Sequence, residues 1–309
     1  MENKQVYAYK QIESSIHIYR VYGLLEQVHI PSMIHGIPVT HIGQYCFAKR
    51  NQVPSDVLYT DSIEGLFELA GDTIETIDLG SSIVSIDSFS FYGCRKLKSL
   101  SIPKTLQSIG SDIFINCHAL HDLMMDAKKE ESTLLKQILT QISWDVDVHF
   151  QDGTFFYPEY YETYDEIGPA HVFSQQLSGE GFRLRQCFHE GKIMIDEYEK
   201  PFEKMKAEES LNDLLHFAFY RWQQGSHTFD DFLKKHQQGL CLWLLEREWD
   251  KKALISIFEA LIQAQMMDAI TCQVGLDTVI KKQDVELITH FIQWRTSFQK
   301  EDQYEFEDF

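Results

Sequence analysis

The chain has 309 residues, of which 44% are hydrophobic and 13% aromatic, which is enough for two or three folded units with substantial cores. Its 28 lysines and arginines and 47 acidic residues give a net charge of −19, and a field of this sign repels phosphate backbones and anionic lipid headgroups. The composition excludes a disordered chain and argues against nucleic acid and membrane surfaces as partners.

Compartment is indicated by the N-terminal segment and the cysteines. The first residues contain no apolar stretch typical of a secretion signal, and no apolar run approaches the length that spans a bilayer. Six cysteines are dispersed along the chain without a CxxC pair, unlike the dense disulfide framework of small secreted domains. We therefore predict a cytoplasmic protein with reduced thiols.

An internal repeat dominates the first part of the chain. Two segments that begin at Ile74 and Leu97 superpose without a gap. The matched pairs, each 23 residues apart, are Ile74 with Leu97, Ile77 with Leu100, Leu79 with Ile102, Ile86 with Ile109, Phe91 with Phe114, and Cys94 with Cys117. A fixed period of this length predicts stacked repeats, each adding a short strand and a returning segment to one core.

The period extends in both directions, which predicts about four strands between Leu24 and Met125. A first strand is indicated by Val28 and Ile30 with Ile42 to Phe47 behind it, and a fourth by Leu120, Leu123 and Met125. Such a stack needs caps at its ends. We assign them to the alternating residues 6–22 and to a helix near residues 132–142.

An insertion interrupts the period between residues 49 and 72. Its first half is polar, and its second half could form one or two helical turns around Ile63 to Leu69. We predict an excursion on the convex side of the stack.

The repeat residues resemble the BspA-like, or treponemal, class of leucine-rich repeats over residues 24–125. Ile102-Pro103, Ile109-Gly110, Phe114 and Cys117 match the family pattern, and residues 30–43 resemble its first repeat. The departures are Gly80 for proline, Asp87 for glycine, and Cys46, Ser90 and Ile113 for alanine. The resemblance implies a solenoid with an interaction surface, and many proteins with these repeats are surface adhesins.

A β-containing middle region is expected after the repeats. VDVHF and TFFYP flank Asp152-Gly153, which predicts a hairpin. The aromatic run FFYPEYYETY suits packing between domains, with a peptide-binding shelf as the alternative. We expect GEGFRLRQCF to be a strand with Arg183 and Arg185 on one face, where they could clamp a carboxylate or phosphate or, as we favour, neutralise the protein's own acids.

Helical spacing of apolar residues begins at about Asp196 and continues through the last third. Within it, Ala253 aligns with Leu287 and Ile257 with Phe291 at an offset of 34 residues, a weak resemblance to helix-pair repeats of the ankyrin kind. The last nine residues, EDQYEFEDF, contain five acids and are expected to form a mobile tail.

These elements predict an α+β chain in which a short leucine-rich-repeat β-solenoid precedes a β connector and an all-α unit. The predicted domains are residues 1–143 for the repeats with their cap and insertion, 144–195 for the aromatic connector, 196–300 for the helices and 301–309 for the acidic tail.

The cysteines, histidines and sequence motifs predict no metal site and no catalytic site. A zinc site of Cys94, Cys117, His118 and His121 is disfavoured, because both cysteines occupy equivalent core positions of the stack. The chain contains no nucleophile elbow, HExxH, Walker or EF-hand pattern. We therefore predict a non-catalytic protein with no metal and no cofactor.

The candidate binding surface consists of the strand residues that alternate with the core positions and so point outward. They are Gln27, His29, Thr76, Asp78, Ser99, Ser101, Asp122 and Met124. Their small polar character favours an extended polypeptide or another protein's surface over a buried small ligand. The leading hypothesis is an interaction scaffold, and exposed strand edges or the helical end could also pair two copies of the chain.

Two alternatives remain open. The first is an enzyme whose site lies between the aromatic region and the helices, near Tyr160, His171 and Arg183. The second is a surface adhesin, which conflicts with the missing secretion signal.

Overall fold

A computed structural model describes residues 4–49, 53–167 and 172–304. The chain divides into two compact units, Met1–Glu209 and Ser210–Phe309. The class is α+β, with a β-solenoid in the first unit and helices in the second.

The first unit is built from short strands and a few short helices. Its strands are β1 (Val6–Ile12), β2 (Ser15–Gly23), β3 (Gln27–His29), β4 (Met33–Ile34), β5 (Ile37–Ile42), β6 (Leu58–Tyr59), β7 (Phe67–Glu68), β8 (Thr76–Asp78), β9 (Ser85–Ile86), β10 (Ser99–Pro103), β11 (Ser108–Ile109), β12 (Asp122–Asp126), β13 (Val146–Phe150), β14 (Gly153–Tyr157), β15 (Tyr161–Ile167), β16 (Val172–Ser178), β17 (Phe188–His189) and β18 (Lys192–Ile193). Its helices are α1 (Leu135–Leu139), α2 (Gly181–Leu184), α3 (Ile195–Glu199) and α4 (Phe202–Glu208).

The predicted repeat forms a sheet in the order β14-β13-β12-β10-β8-β3, which we call the repeat sheet. Leu100 of β10 pairs in parallel register with Ile77 of β8 and Leu123 of β12, and Val28 of β3 pairs with Ile77. All four side chains are buried. The constant period therefore becomes one apolar row that runs across the strands.

The repeat sheet has a fifth parallel strand that the sequence did not predict. The expected hairpin forms, with Phe150 paired to Gly153, but its first strand β13 also pairs in parallel with β12, placing Val148 beside Leu123. Because this pair lies 25 residues apart rather than 23, the fixed period missed it. The hairpin thus extends the repeat sheet.

A second sheet, in the order β11-β9-β5-β2-β1-β6, covers the returning side. The predicted N-terminal cap is the antiparallel pair β1 and β2, and β2 continues in parallel into β5. Helical turns around Ile63 to Leu69 were a wrong prediction: β6 pairs with β1, and β7 pairs with β2. Pairing with β6 and β7 satisfies backbone groups that β1 and β2 would otherwise leave unpaired.

Behind the strands, equivalent side chains of successive repeats stack into a ladder. The ring of Phe91 lies 5.4 Å from that of Phe47 and 5.6 Å from that of Phe114, in stacked orientations. The thiols of Cys94 and Cys117 donate to the carbonyl oxygens of Phe47 and Phe91 at 3.4 and 3.0 Å. These cysteines are buried, free core residues, as repeat packing requires.

The segment GEGFRLRQCF forms helix α2 and the strand β17 rather than one predicted strand. The cause is Arg185, whose buried guanidinium donates to the carbonyl oxygens of Ile142, Trp144, Pro158 and Gly181 at 2.6 to 2.9 Å. A helical turn sends this side chain inward, whereas Arg183 stays exposed and pairs with Glu180 at 3.4 Å. The two arginines therefore do not share a face.

The second unit contains α5 (Leu211–Gln223), α6 (Asp230–Lys235), α7 (Gln237–Glu246), α8 (Lys251–Gln263), α9 (Ala269–Lys281) and α10 (Val285–Tyr304). Helix α9 contacts α7 and α10, and α10 also contacts α8. Helix α10 includes the first four residues of the predicted tail, so these four are helical, and residues 305–309 lie outside the described residues.

The internal repeat of the helices has two offsets. Asp250 and Asp284, 34 residues apart, cap α8 and α10 by accepting from the backbone N–H groups of Ala253 and Leu287. The buried apolar positions repeat at 33 residues instead, as Phe258 and Phe291 do, with ring centroids 5.0 Å apart. The ankyrin-like comparison stays a prediction.

Candidate functional site

The predicted surface residues lie in two rows across the repeat sheet. The first row is Gln27, Thr76, Ser99 and Asp122, and the second is His29, Asp78, Ser101 and Met124, each residue paired with the next in register. None of the eight side chains is buried, whereas the apolar row that alternates with them is buried beneath the sheet. The structure therefore brings all eight onto one face.

The fifth strand adds two residues that the sequence prediction omitted. Asp147 pairs with Asp122 in the first row, and His149 pairs with Met124 in the second. The alternation in VDVHF places an aspartate and a histidine on this side of the sheet, but only His149 is partly exposed, since Asp147 is buried. The predicted boundary at residue 143 places the hairpin in a separate connector, and the predicted rows therefore end one strand too early.

Hydrogen bonds between histidine and aspartate join strands near both edges of this face. His29 Nδ1 lies 2.8 Å from Asp78 Oδ2, and His149 Nε2 lies 2.8 Å from Asp122 Oδ1. The Tyr7 hydroxyl donates to the carbonyl oxygen of His29 at 2.6 Å, and burial raises the pKa of Tyr7 to about 12, so it stays a donor at neutral pH. These contacts hold the imidazoles and carboxylates in defined positions.

A groove of about 520 Å³ opens on the same face, where the strands end. Its walls include Asp78 and Asp126, the two imidazoles described above, and the apolar Pro103 and Met124. None of the described residues that line it is a lysine or an arginine. Gly80, at φ +64°, forms part of the floor, and a Cβ there would lie 2.2 Å from the carbonyl oxygen of Ile30. We call this cavity the acidic groove.

Beside the groove, Asp122, Asp147 and His149 each place a potential metal-ligating atom within 4.8 Å of the others. Carboxylates and imidazole are ligand types of divalent transition ions. Among the described residues, these three side chains form the group that could hold such an ion. The direct contact of Asp122 with His149 already satisfies both groups as a hydrogen bond.

Among the residues named for the alternative enzyme site, Tyr160 is packed into the interior. Tyr160 is 7% exposed, with the Phe182 ring 5.5 Å away and the Arg185 guanidinium 5.1 Å from its centroid. Burial raises the pKa of Tyr160 and lowers the pKa of Arg185 to about 10. Tyr160 is thus packed, Arg183 is exposed, and His171 lies outside the described residues.

A match to a protein-family model agrees with the repeat geometry. Residues 64–134 match the family model described as BspA type leucine-rich repeat region (6 copies). A crystal structure of a leucine-rich-repeat protein of T. pallidum is similar at 17% identity, covering 40% of this chain and 72% of that chain, with a TM-score of 0.19. At that TM-score the superposition supports no argument about the whole chain.

No curated protein matches the sequence. Among the helices of the described chain, none has the length and apolar character needed to cross a membrane. The family match, the 23-residue register and the stacked ladder agree on the same segment. Residues 64–134 are therefore a leucine-rich-repeat region of the BspA type.

Proposed function

We propose that the repeat sheet is the binding face of a non-catalytic interaction scaffold and that it takes up an extended segment of another protein. The observation that carries this proposal is the pair of outward polar rows in constant register. Leucine-rich repeats as a class present such faces to protein partners.

The shape of the face favours an extended partner. Neighbouring strands are about 4.8 Å apart, so each row offers polar groups at regular steps to a chain lying across the strands. Ser99 and Ser101 leave the middle of the face shallow, whereas His29 and Met124 stand exposed on either side of it. A shallow polar surface suits backbone and small side chains better than a compact ligand.

The charge of the acidic groove favours a partner segment with lysine or arginine. Asp78 and Asp126 line the groove, and none of its described lining residues is a lysine or an arginine. The chain's net charge of −19 acts in the same direction, because it steers cationic partners toward the protein and repels anionic ones.

The proposal is tested by affinity purification from the source cell with a variant carrying Thr76→Arg, Asp78→Arg and Ser99→Arg. We expect capture of the partner to be lost while the circular dichroism spectrum is retained, because three long cations would occupy the face. Gln107→Arg, an exposed position outside both rows, serves as the matched control. Partner capture by the triple variant equal to that of the wild type would contradict the proposal.

The proposed positive charge of the partner segment is tested separately, by measuring binding of the captured protein. Asp78→Asn and Asp126→Asn keep the shape of the groove and remove its carboxylates. We expect each to weaken binding about threefold to tenfold at low salt, with less effect at high salt. Binding that is insensitive to both salt and these variants would exclude a cationic segment.

The cytoplasmic location and the lack of catalysis are part of the same proposal. The location is tested by localising the native protein, since detection at the cell surface would favour the adhesin hypothesis instead.

A further inference from the structure

A second cavity, of about 490 Å³, lies in the first unit beside α2, α3 and α4. Arg183 comes from α2, while Lys200 and Lys204 lie at the end of α3 and in α4. Phe188 and Met194 contribute apolar surface, and Glu197 is its single acidic lining residue. We call this cavity the basic pocket.

The basic pocket is cationic in a strongly anionic protein. Lys200 is neutralised by Glu197 at 2.5 Å, and Arg183 lies 3.4 Å from Glu180. Lys204 has no ion pair within the described part of the chain. With Glu180 counted, three cations face two carboxylates, so the excess is one positive charge, carried by Lys204.

The apolar part of the pocket is preformed. Phe188 stacks on buried Tyr157, with centroids 6.4 Å apart, and the short pair β17–β18 fixes Phe188 opposite Ile193. Met194 follows this pair and is 41% exposed. A ligand would therefore meet an apolar wall as well as cations, without first ordering a loop.

Cys187 also lines the pocket, but it does not make it a reactive site. Burial raises the pKa of this thiol to about 11. At neutral pH the sulfur stays protonated, and the thiolate is the nucleophilic form. The pocket is thus suited to binding rather than to covalent chemistry.

We propose that the basic pocket binds a short acidic peptide segment that carries an aromatic side chain. Its carboxylates would contact Lys204 and Arg183, and its ring would pack on Met194 and Phe188. A bare phosphate would leave the apolar wall unused, whereas an aromatic side chain next to carboxylates would contact both the wall and the cations. A cavity of about 490 Å³ lies within the size range of pockets that bind small ligands.

The chain's own sequence supplies a suitable probe, since EDQYEFEDF combines five acids with three aromatic residues. A fluorescein-labelled peptide of this sequence is titrated with the full chain, and fluorescence anisotropy is followed at low salt. A chain ending at Tyr304 is measured in parallel, so that competition by residues 305–309 cannot hide binding.

We expect saturable binding that Lys204→Glu weakens about tenfold and Lys204→Arg preserves, because the first reverses the charge and the second keeps it. Met194→Ser should also weaken binding, through loss of apolar contact. Lys104→Glu, an exposed lysine of the repeats, is the matched control. The groove variants Asp78→Asn and Asp126→Asn should leave this peptide unaffected, which separates the pocket from the acidic groove.

If the peptide binds, three results would overturn the proposal. They are equal binding of the neutral peptide QNQYQFQNF, the same affinity in Lys204→Glu as in the wild type, and displacement of the peptide by inorganic phosphate at equal concentration. The last would reveal a simple anion site. Failure of the peptide to bind either chain would also overturn it.

Discussion

The acidic groove and the basic pocket lie in the same unit and are almost equal in volume, about 520 and 490 Å³. The groove is formed by one register repeated across parallel strands, so its lining residues recur at a nearly fixed spacing. The pocket is formed where short helices and a two-residue strand pair converge, and its three cations follow no period. Repetition thus yields a broad face, whereas irregular packing yields a local, charge-selective cavity.

The largest expected effect is on the ladder beneath the repeat sheet. Phe91→Ala should lower the free energy of unfolding by about 3–5 kcal/mol, because Phe91 is fully buried between Phe47 and Phe114. Urea denaturation measures the loss. The adjacent, exposed Tyr92 is the control, and Tyr92→Ala should have little effect. Equal effects of the two changes would contradict a stacked ladder.

Arg185→Met should rank second, at about 3 kcal/mol. The change removes the side-chain hydrogen bonds to four carbonyl oxygens, of which that of Gly181 keeps a backbone donor. It also loosens α2, which carries Arg183 of the basic pocket. We expect urea denaturation to show the loss and peptide binding to the pocket to weaken. Arg183→Gln should instead leave stability almost unchanged. A stable Arg185→Met protein would refute the anchoring role.

Gly80→Ala should have an intermediate effect, about 2 kcal/mol. A Cβ at this left-handed position would meet the Ile30 carbonyl oxygen, whereas one at Gly36, also left-handed, would meet open space. Thermal unfolding should therefore show a larger loss for Gly80→Ala than for Gly36→Ala. Only the Gly80 variant should impair partner binding at the groove, because its backbone forms the floor. Similar losses for both would count against a groove shaped by backbone contact.

The smallest expected effect is the pH dependence of stability that arises from two histidines of the second sheet. His17 stacks on His41 at 3.8 Å, and burial, followed by repulsion from His41, lowers the pKa of His17 despite the opposing effect of Asp87. The folded state then binds fewer protons than the unfolded chain between the lowered pKa and the ordinary value.

The free energy of unfolding should consequently decrease as the pH drops from the ordinary histidine pKa of about 6.5 to the lowered pKa of His17. The penalty is complete below the lowered pKa and absent above the ordinary one. Thermal unfolding of wild type and His41→Gln should show a smaller decrease for the variant. Parallel decreases would mean that the histidine pair does not contribute.

Periodicity made the solenoid predictable. Ile77, Leu100 and Leu123 could be placed in one row because each repeat has the same length, and alternation then put Thr76, Asp78 and their equivalents on the opposite face. The place of Val148 in this row was not predicted, because the offset changes by two residues at the last strand. The strands of the insertion were not predicted, because two-residue strands leave almost no sequence pattern.

By itself, the sequence determined the repeat, its core ladder, the outward residues and the helical character of the last third, since all of these follow from local spacing. Tertiary structure alone decided that Arg185 is buried against backbone carbonyl oxygens and that the hairpin joins the repeat sheet. It also decided that Arg183, Lys200 and Lys204 line one cavity. The physical reason is that buried donors seek whichever carbonyl oxygens the fold brings near, and cavities form between side chains that are distant along the chain.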